Sequence, residues 1–119
     1  MEELKTRATA AAARFLDRRG YTVLETDWES EAGAADIVAE DGCFLVFVKV
    51  SASSGAASGL PAEQHGAAER ERREKVALAY LAEHDLVDLP IRFDELAMAV
   101  ISPDRAMIRH HINAWGSCV

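Results

Sequence analysis

Two residues of opposite charge flank a predicted β-hairpin and are the first candidates for chemistry: Asp36 in "AADIVAE" and Lys49 in "FLVFVKVS". The Asp-Gly dipeptide in "EDGC", between these segments, has the spacing of a two-residue hairpin turn. Side chains on a strand alternate faces, so pairing of the hairpin makes Asp36 and Lys49 cross-strand neighbours. A buried ammonium is costly without a partner. The residue types alone therefore predict a half-buried structural ion pair.

A run of mixed charge, "ERERREK", is the second candidate. In one interpretation its basic residues contact phosphates at the start of a helix. In the other, they form a solvated helix face laced with ion pairs to the neighbouring glutamates. The residues alone leave both open. The residues concerned are Arg70, Arg72, Arg73 and Lys75, beside Glu69, Glu71 and Glu74.

The histidines and serines indicate no further chemistry. None of the four histidines has a metal-ligand spacing such as HExxH, and the chain contains no P-loop or GxGxxG motif. His110 and His111 are adjacent on a predicted strand, so they face opposite ways and cannot chelate one ion together. We interpret His110 as a structural histidine.

The elements that position these residues have the order α-β-β-β-α-β-β, which predicts an α/β fold with a mixed central sheet. Apolar residues from Leu4 to Leu16 recur at helical spacing, and Gly20 is a natural stop. The pattern predicts a second helix from near Pro61, with an apolar face that begins at Val76. Two closing strands, "IRFDELAMAVIS" and "AMIRHHINAW", follow, joined by a turn around Pro103.

Size and charge limit the functions that remain. The 119 residues fit a single domain spanning 1–119, and no apolar run approaches the length of a membrane span. Cys43 and Cys118 lack CxxC spacing, which favours reduced thiols and a cytoplasmic location. A net charge of −7 disfavours loose binding to nucleic acid, because phosphates are neutralised by Lys and Arg. It does not exclude a specific basic site.

Four segments together resemble the YraN-like family of small uncharacterised bacterial proteins: "GAADIVAEDGCFLVFVKVSAS", "GLPAE", "IRFDELAMAV" and "IRHHINAW". That family belongs to the restriction-endonuclease-like, PD-(D/E)xK superfamily. The resemblance covers nearly the whole chain and implies a mixed sheet flanked by two helices. The family's core reads G-E-x-D, a hairpin, then V-F-V-E-V-K. In such a core two carboxylates hold Mg²⁺ or Mn²⁺, the metal activates water, and the lysine stabilises charge.

This chain departs from the family's core at most positions. Ala34 stands at the first acid, Lys49 at the acid of the second strand, and Ser51 at the lysine. Thr9 stands where a glutamate of the first helix falls, and Asp36 alone is retained. One carboxylate cannot meet the octahedral oxygen coordination of Mg²⁺. The resemblance therefore implies a degenerate endonuclease in which Asp36 and Lys49 are the remnant of the catalytic group, the ammonium replacing the metal.

Three functions are compatible with the sequence. We expect a nucleic-acid-binding or nucleic-acid-associated domain without catalysis and without a cofactor, in which Arg70, Arg72 and Arg73 contact DNA or another nucleic acid. The second is a metal-dependent nuclease with rearranged residues, in which Mg²⁺ or Mn²⁺ would bind Asp36 and acids drawn from Glu31, Glu63 and Asp94. The third is a scaffold for a protein partner, since a fold does not fix a function.

Overall fold

The computed structural model describes residues 2–54, 66–86 and 89–113 of the chain. Seven elements follow one another in the predicted order, which confirms the expected class of mixed α/β fold. The two helices and five strands are α1 (Glu2–Arg18), β1 (Thr22–Ser30), β2 (Gly33–Asp41), β3 (Phe44–Ser54), α2 (Ala67–Glu83), β4 (Ile91–Ser102) and β5 (Arg105–His111).

The five strands form one mixed sheet in the order β1-β2-β3-β4-β5. Neighbouring strands pair antiparallel except β3 and β4, which are parallel over ten residue pairs from Leu45–Ile91 to Ser54–Val100. Parallel strands need a crossover connection, and α2 lies within the one that joins β3 to β4. The sheet thus joins a three-stranded meander to a closing hairpin.

α1 forms because alanines and leucines recur at helical spacing, and its buried stripe consists of Ala8, Ala12 and Leu16. The helix ends in a Schellman motif, with Gly20 in the left-handed conformation at φ 93°. The N–H of Gly20 bonds to the carbonyl of Asp17, and the N–H of Tyr21 to that of Leu16. The predicted stop at Gly20 is confirmed.

The helices cover opposite faces of the sheet and define two cores. Under α1, buried residues of β3 and β4 include Val46, Val48 and Met98. Under α2, the aromatic rings of Trp28 and Phe47 meet Tyr80 edge-on. Each polar side chain of the central strands therefore faces either the α1 side or the α2 side.

One predicted boundary shifts. The hairpin turn is formed by Gly42 and Cys43, one residue later than the predicted Asp41–Gly42, because Asp41 still pairs with Phe44. Gly42 has φ 62° at the first loop position, a conformation that glycine adopts at no steric cost. α2 begins at Ala67, and the predicted start near Pro61 lies outside the described residues. Neither described helix is long and apolar enough to cross a membrane.

Candidate functional site

Both predicted remnant residues lie at the end of the sheet where β2 and β3 separate. The ladder between these strands ends at the pair Ile37–Val48, one position before Asp36 and Lys49 would face each other. The alternation of β2 breaks at the same point, because Ala35 packs in the core under α2 and Ile37 in the core under α1. Residues two apart on a regular strand share a face. The alternation that predicts a shared face for Asp36 and Lys49 is therefore absent at Asp36.

Asp36 turns toward α1. Its Oδ2 accepts a hydrogen bond from the backbone N–H of Val50 at 2.8 Å and lies 3.2 Å from Nζ of Lys5. The side chain of Asp36 is 18% exposed. Within the described part of the chain its ion pair is with Lys5, so the predicted pair between Asp36 and Lys49 is wrong.

Lys49 faces α2 and pairs with Glu69, whose Oε2 lies 3.4 Å from the ammonium nitrogen. The same carboxylate accepts from two guanidinium groups: Oε1 lies 2.5 Å from Nη2 of Arg72, and Oε2 lies 2.7 Å from Nε of Arg73. We call Lys49, Arg72 and Arg73 the basic cluster. Glu69, with a side chain only 10% exposed, lies at its centre. The ammonium in the core strand is thus neutralised by a helix residue.

The charges of the basic cluster fix the ionisation of Glu69. Burial alone would raise the pKa of this carboxyl, but the hydrogen bonds from Arg72 and Arg73 and the charges of Arg73 and Lys49 lower it to about 2. Glu95 of β4 lies beside Lys49 in register and is 2% exposed. The three cations of the basic cluster therefore lie near two buried acids, Glu69 and Glu95. Arg72 is the most exposed of the three cations, with a side chain that is 67% exposed.

The basic cluster adjoins two positions at which the resemblance expects acids. The backbone carbonyl of Ala34 accepts a hydrogen bond from Nη1 of Arg73 at 3.3 Å, and Ala34, Lys49 and Arg73 line one small depression. Ser51 lies half-buried further along β3. Thr9 is 2% exposed on α1, and its hydroxyl has no hydrogen-bond partner among the residues that the structure describes.

The third predicted nucleic-acid residue, Arg70, lies outside the cluster. It pairs with Glu74 one turn further along α2, at 3.4 Å, and both side chains are 44% exposed. The ion-pair interpretation of "ERERREK" is confirmed for Arg70, Arg72 and Arg73, whereas contact with phosphates stays a prediction. Arg70 belongs to a solvated face, while Arg72 and Arg73 converge with Lys49.

Asp94 is the most completely hydrogen-bonded carboxylate described, and it faces α1. Its side chain is fully buried and accepts from the guanidinium of Arg92, the hydroxyl of Tyr21 and the backbone N–H of Asn113. Nε2 of His110 lies 2.8 Å from Oδ2, so His110 takes a structural place in this network. Burial opposes ionisation, but hydrogen bonds from His110 and Arg92 hold the pKa of Asp94 below its usual value.

The residues at the divergence of β2 and β3 do not fit Mg²⁺ or Mn²⁺. Asp36 and Asp94 face α1, whereas Glu69 lies on α2, on the other side of the sheet, and is surrounded by cations. Glu31 is exposed in the turn after β1, and Glu63 lies outside the described residues. Within those residues, no three His, Cys, Asp or Glu side chains converge to hold a metal ion.

Sequence reasoning missed Glu69 and Lys5 as partners. Glu69 precedes Arg73 by four residues, a spacing that predicts an ion pair. The same spacing relates Arg70 to Glu74, so it could not show which glutamate is buried. Lys5 lies on the first helix, and only the packing of α1 on the sheet brings it to Asp36.

Comparison with known proteins places the family model and the similar relatives in one family. The model of the uncharacterised protein family UPF0102 matches residues 8–98. A UPF0102 protein of Geobacter sulfurreducens is 35% identical over 112 residues, which are 94% of this chain and 88% of the relative. One from Roseiflexus castenholzii is 47% identical over 90 residues, or 75% of this chain and 73% of the relative. One from Myxococcus xanthus is 37% identical over 100 residues, covering 84% and 79%.

Proposed function

This chain belongs to the uncharacterised protein family UPF0102, and on that premise we propose that it is a nucleic-acid-binding domain of the restriction-endonuclease-like fold that has lost catalysis. The observation that carries the proposal is the basic cluster beside the positions of the missing acids. A catalytic site of that superfamily would place carboxylates and a metal ion there. This chain places one ammonium and two guanidinium groups there.

The loss of catalysis is supported by the contacts of the remaining acids, which are already engaged in hydrogen bonds and ion pairs. Asp36 caps the end of the β2–β3 ladder through the N–H of Val50 and neutralises Lys5. Glu69 is held by the basic cluster. Ala34 and Lys49 supply no carboxylate. A metal ion here would have to displace cations already paired with Glu69, and Mg²⁺ exchanges its waters reluctantly.

Phosphate contact is supported by the chemistry of the outermost group. A guanidinium presents several donors in a planar fork that matches phosphate oxygens, and Glu69 occupies only one edge of Arg72. Arg72 is 67% exposed, so it can donate to a phosphate while it keeps its bond to Glu69. Arg73 and Lys49 lie behind it and add positive potential.

The charge of the whole chain limits the strength of this binding. At −7 the protein repels a polyanion, so contacts restricted to the basic cluster give weak binding. For about two to three neutralised phosphates on a duplex, the logarithm of the binding constant falls with the logarithm of salt concentration with a slope of roughly −2 to −3.

The test is fluorescence anisotropy of labelled four-way junction, linear duplex and single-stranded DNA at several salt concentrations. We expect weak binding that Arg72→Ala reduces about fivefold, with a loss of about 1 from the salt slope. Lys75→Ala is the matched control, because Lys75 is an exposed cation on the same helix outside the cluster. Equal losses in the two variants, or no binding by the parent, would overturn the assignment of the cluster.

The same samples incubated with Mg²⁺ or Mn²⁺ and analysed on a denaturing gel test the loss of catalysis. We expect no cleavage above background. Cleavage that is abolished by Asp36→Ala would instead establish the metal-dependent nuclease.

A further inference from the structure

A groove of about 510 Å³ runs between α1 and the hairpin formed by β4 and β5. It lies on the α1 side of the sheet, on the face opposite the basic cluster. Neither the remnant residues nor the basic cluster contributes to its lining. The groove is therefore a second surface, independent of the proposed binding of nucleic acid.

Among the described residues, four arginines line this groove, three from α1 and one from the start of β5: Arg7, Arg14, Arg18 and Arg105. Asp104 is the single acid among the described lining residues, and it accepts a hydrogen bond from the hydroxyl of Ser102. All four arginines are exposed, and none pairs with a carboxylate of residues 2–54, 66–86 or 89–113. On a chain of net charge −7, four unpaired guanidinium groups at one groove predict an anionic ligand.

The floor of the groove is aliphatic. Leu4, Ala11 and Val100 are partly exposed there, and Ile108 is 37% exposed. An apolar floor beneath a charged rim suits a ligand with an apolar side and a charged edge, which is the design of an amphipathic helix seated in a groove.

Among the lining residues that the structure describes, the one aromatic ring already has ring and cation partners. Phe15 meets the ring of His110 edge-on, and the guanidinium of Arg19 lies 4.6 Å above its centroid. Single-stranded nucleic acids are held by stacking bases on free aromatic faces as well as by basic grooves. The described lining of the groove offers positive charge without a free stacking platform, which favours a peptide over a nucleic acid.

The spacing of the arginines fits a helix lying alongside α1. Arg7, Arg14 and Arg18 lie at i, i+7 and i+11, so they share one side of the helix and span about 16 Å at 1.5 Å per residue. Leu4 and Ala11 fall on the adjoining stripe. We propose that the groove between α1 and the β4–β5 hairpin binds an acidic amphipathic helix of a partner protein, with aliphatic side chains on its floor and carboxylates on the arginines.

The probe is a labelled 18-residue capped peptide of Leu, Ala and Glu. Its glutamates are spaced i, i+7 and i+11 along the edge of an aliphatic face. A second peptide of the same composition has its glutamates and leucines distributed around the helix. By fluorescence anisotropy we expect the amphipathic peptide to bind the full chain at least about tenfold tighter than the redistributed one, because only it matches both floor and rim.

The protein variant that removes the rim is Arg14→Glu with Arg18→Glu, and we expect it to weaken binding at least about tenfold. Lys75→Glu applies a charge reversal outside the groove and should change binding less than about twofold. Circular dichroism of the variants establishes that they are folded. Methyl resonances of Ala11 and Ile108 should shift on addition of the amphipathic peptide.

Three results would overturn the assignment. Equal binding of the two peptides would mean simple attraction between opposite charges. Displacement of the peptide by an 18-residue oligo-dT, lost in the double arginine variant, would identify a nucleic-acid groove. If neither peptide binds, or if resonance shifts are confined to residues of α2, then the groove is not the docking surface.

Discussion

The carboxylate of Asp36 accepts the backbone N–H of Val50 at 2.8 Å, so a side chain of β2 continues the pairing of β3 where the backbone ladder ends. A donor of the sheet is thereby satisfied without a strand opposite it. Asp36 therefore stabilises the end of the β2–β3 ladder.

The first prediction separates the hydrogen bond of Asp36 from its charge. Asp36→Ala leaves the N–H of Val50 without this acceptor and should lower the free energy of unfolding by about 1–3 kcal/mol. Asp36→Asn keeps an acceptor oxygen and should cost less than about 1 kcal/mol, because the lost ion pair with the half-exposed Lys5 contributes little. Urea denaturation measures both. Equal costs would show that the charge, rather than the hydrogen bond, stabilises the site.

The second prediction concerns the pH dependence of stability through Glu69. Its pKa is lowered from 4.5 to about 2 in the folded chain, so its contribution is present above pH 4.5 and is lost as the pH falls toward 2. A shift of this size corresponds to about 3 kcal/mol. Unfolding followed between pH 2 and 7 should show Glu69→Gln less stable than the parent at neutral pH and nearly equal to it at pH 2.

Glu71→Gln is the control for that series, because Glu71 is exposed on the same helix. It should follow the parent at every pH. A difference between the parent and Glu69→Gln that stays constant down to pH 2 would contradict the proposed ionisation.

The third prediction tests the network around Asp94. Asp94→Asn removes one of the two carboxylates paired with Arg92, whose side chain is only 9% exposed, while Asp41 remains at 2.9 Å. It should cost about 2–3 kcal/mol, less than the roughly 3–5 kcal/mol expected when a buried charge loses its one partner. Asp104→Asn changes an exposed carboxylate in the β4–β5 turn and should cost less than about 0.5 kcal/mol. Thermal or chemical denaturation of the two variants and the parent measures these costs in the free energy of unfolding. Similar costs for the two changes would show that the buried network contributes no special stability.

The fourth prediction concerns alkaline pH. Burial, the negative charge of Asp94 and their hydrogen bond raise the pKa of Tyr21 to about 12, and burial also raises the pKa of Tyr80. These are the two tyrosines of the chain. A raised folded pKa means stability that is present below pH 10 and is lost as the pH rises toward 12.

Tyrosinate absorbance at 295 nm should therefore rise later in the folded chain than in urea, with circular dichroism recording the folded state. A phenol that titrates near pH 10 while the chain is still folded would contradict the burial of both rings.

The fifth prediction concerns a double variant that introduces two acids beside the basic cluster. Ala34→Glu with Lys49→Glu places two carboxylates beside Glu69 and removes one of its cations, so the variant should be less stable than the parent without metal. Because a ligand that binds only the folded state stabilises it, Mg²⁺ or Mn²⁺ should restore part of the loss. Thermal denaturation of variant and parent, with and without metal, measures this. A variant that gains nothing from metal would mean that the depression cannot be converted into an acid site.

The order of elements and the turn at Gly20 could be predicted because they depend on local patterns: apolar periodicity in α1, alternation in the strands, and a glycine stop. The geometry of the candidate site could not be predicted, because it depends on one irregularity in the pairing of β1 with β2. Asp27 adopts a left-handed φ of 53° on β1, and the alternation of β2 fails directly across from it, at Asp36. Nothing in "GAADIVAED" marks that break, since each residue type there is compatible with a regular strand.

The partners of the two remnant residues were hidden for a second reason. Lys49 and Glu69 are twenty positions apart and meet only when α2 packs on the sheet. Lys5 lies near the N-terminus and reaches Asp36 only when α1 packs on the sheet. Strand periodicity can assign a side chain to a face, but it carries no information about which helix residue covers that face.

The parallel pairing of β3 with β4 also determines how the chain can fold. β1, β2 and β3 meet through short turns, as do β4 and β5, whereas Leu45 pairs with Ile91 across α2 and its connections. Closing a loop of that length costs about 2–3 kcal/mol more in chain entropy than closing a two-residue turn. We therefore expect the meander and the closing hairpin to form early and their union to limit the folding rate. Substitutions along the β3–β4 seam should slow folding, while those in α1 should mainly speed unfolding.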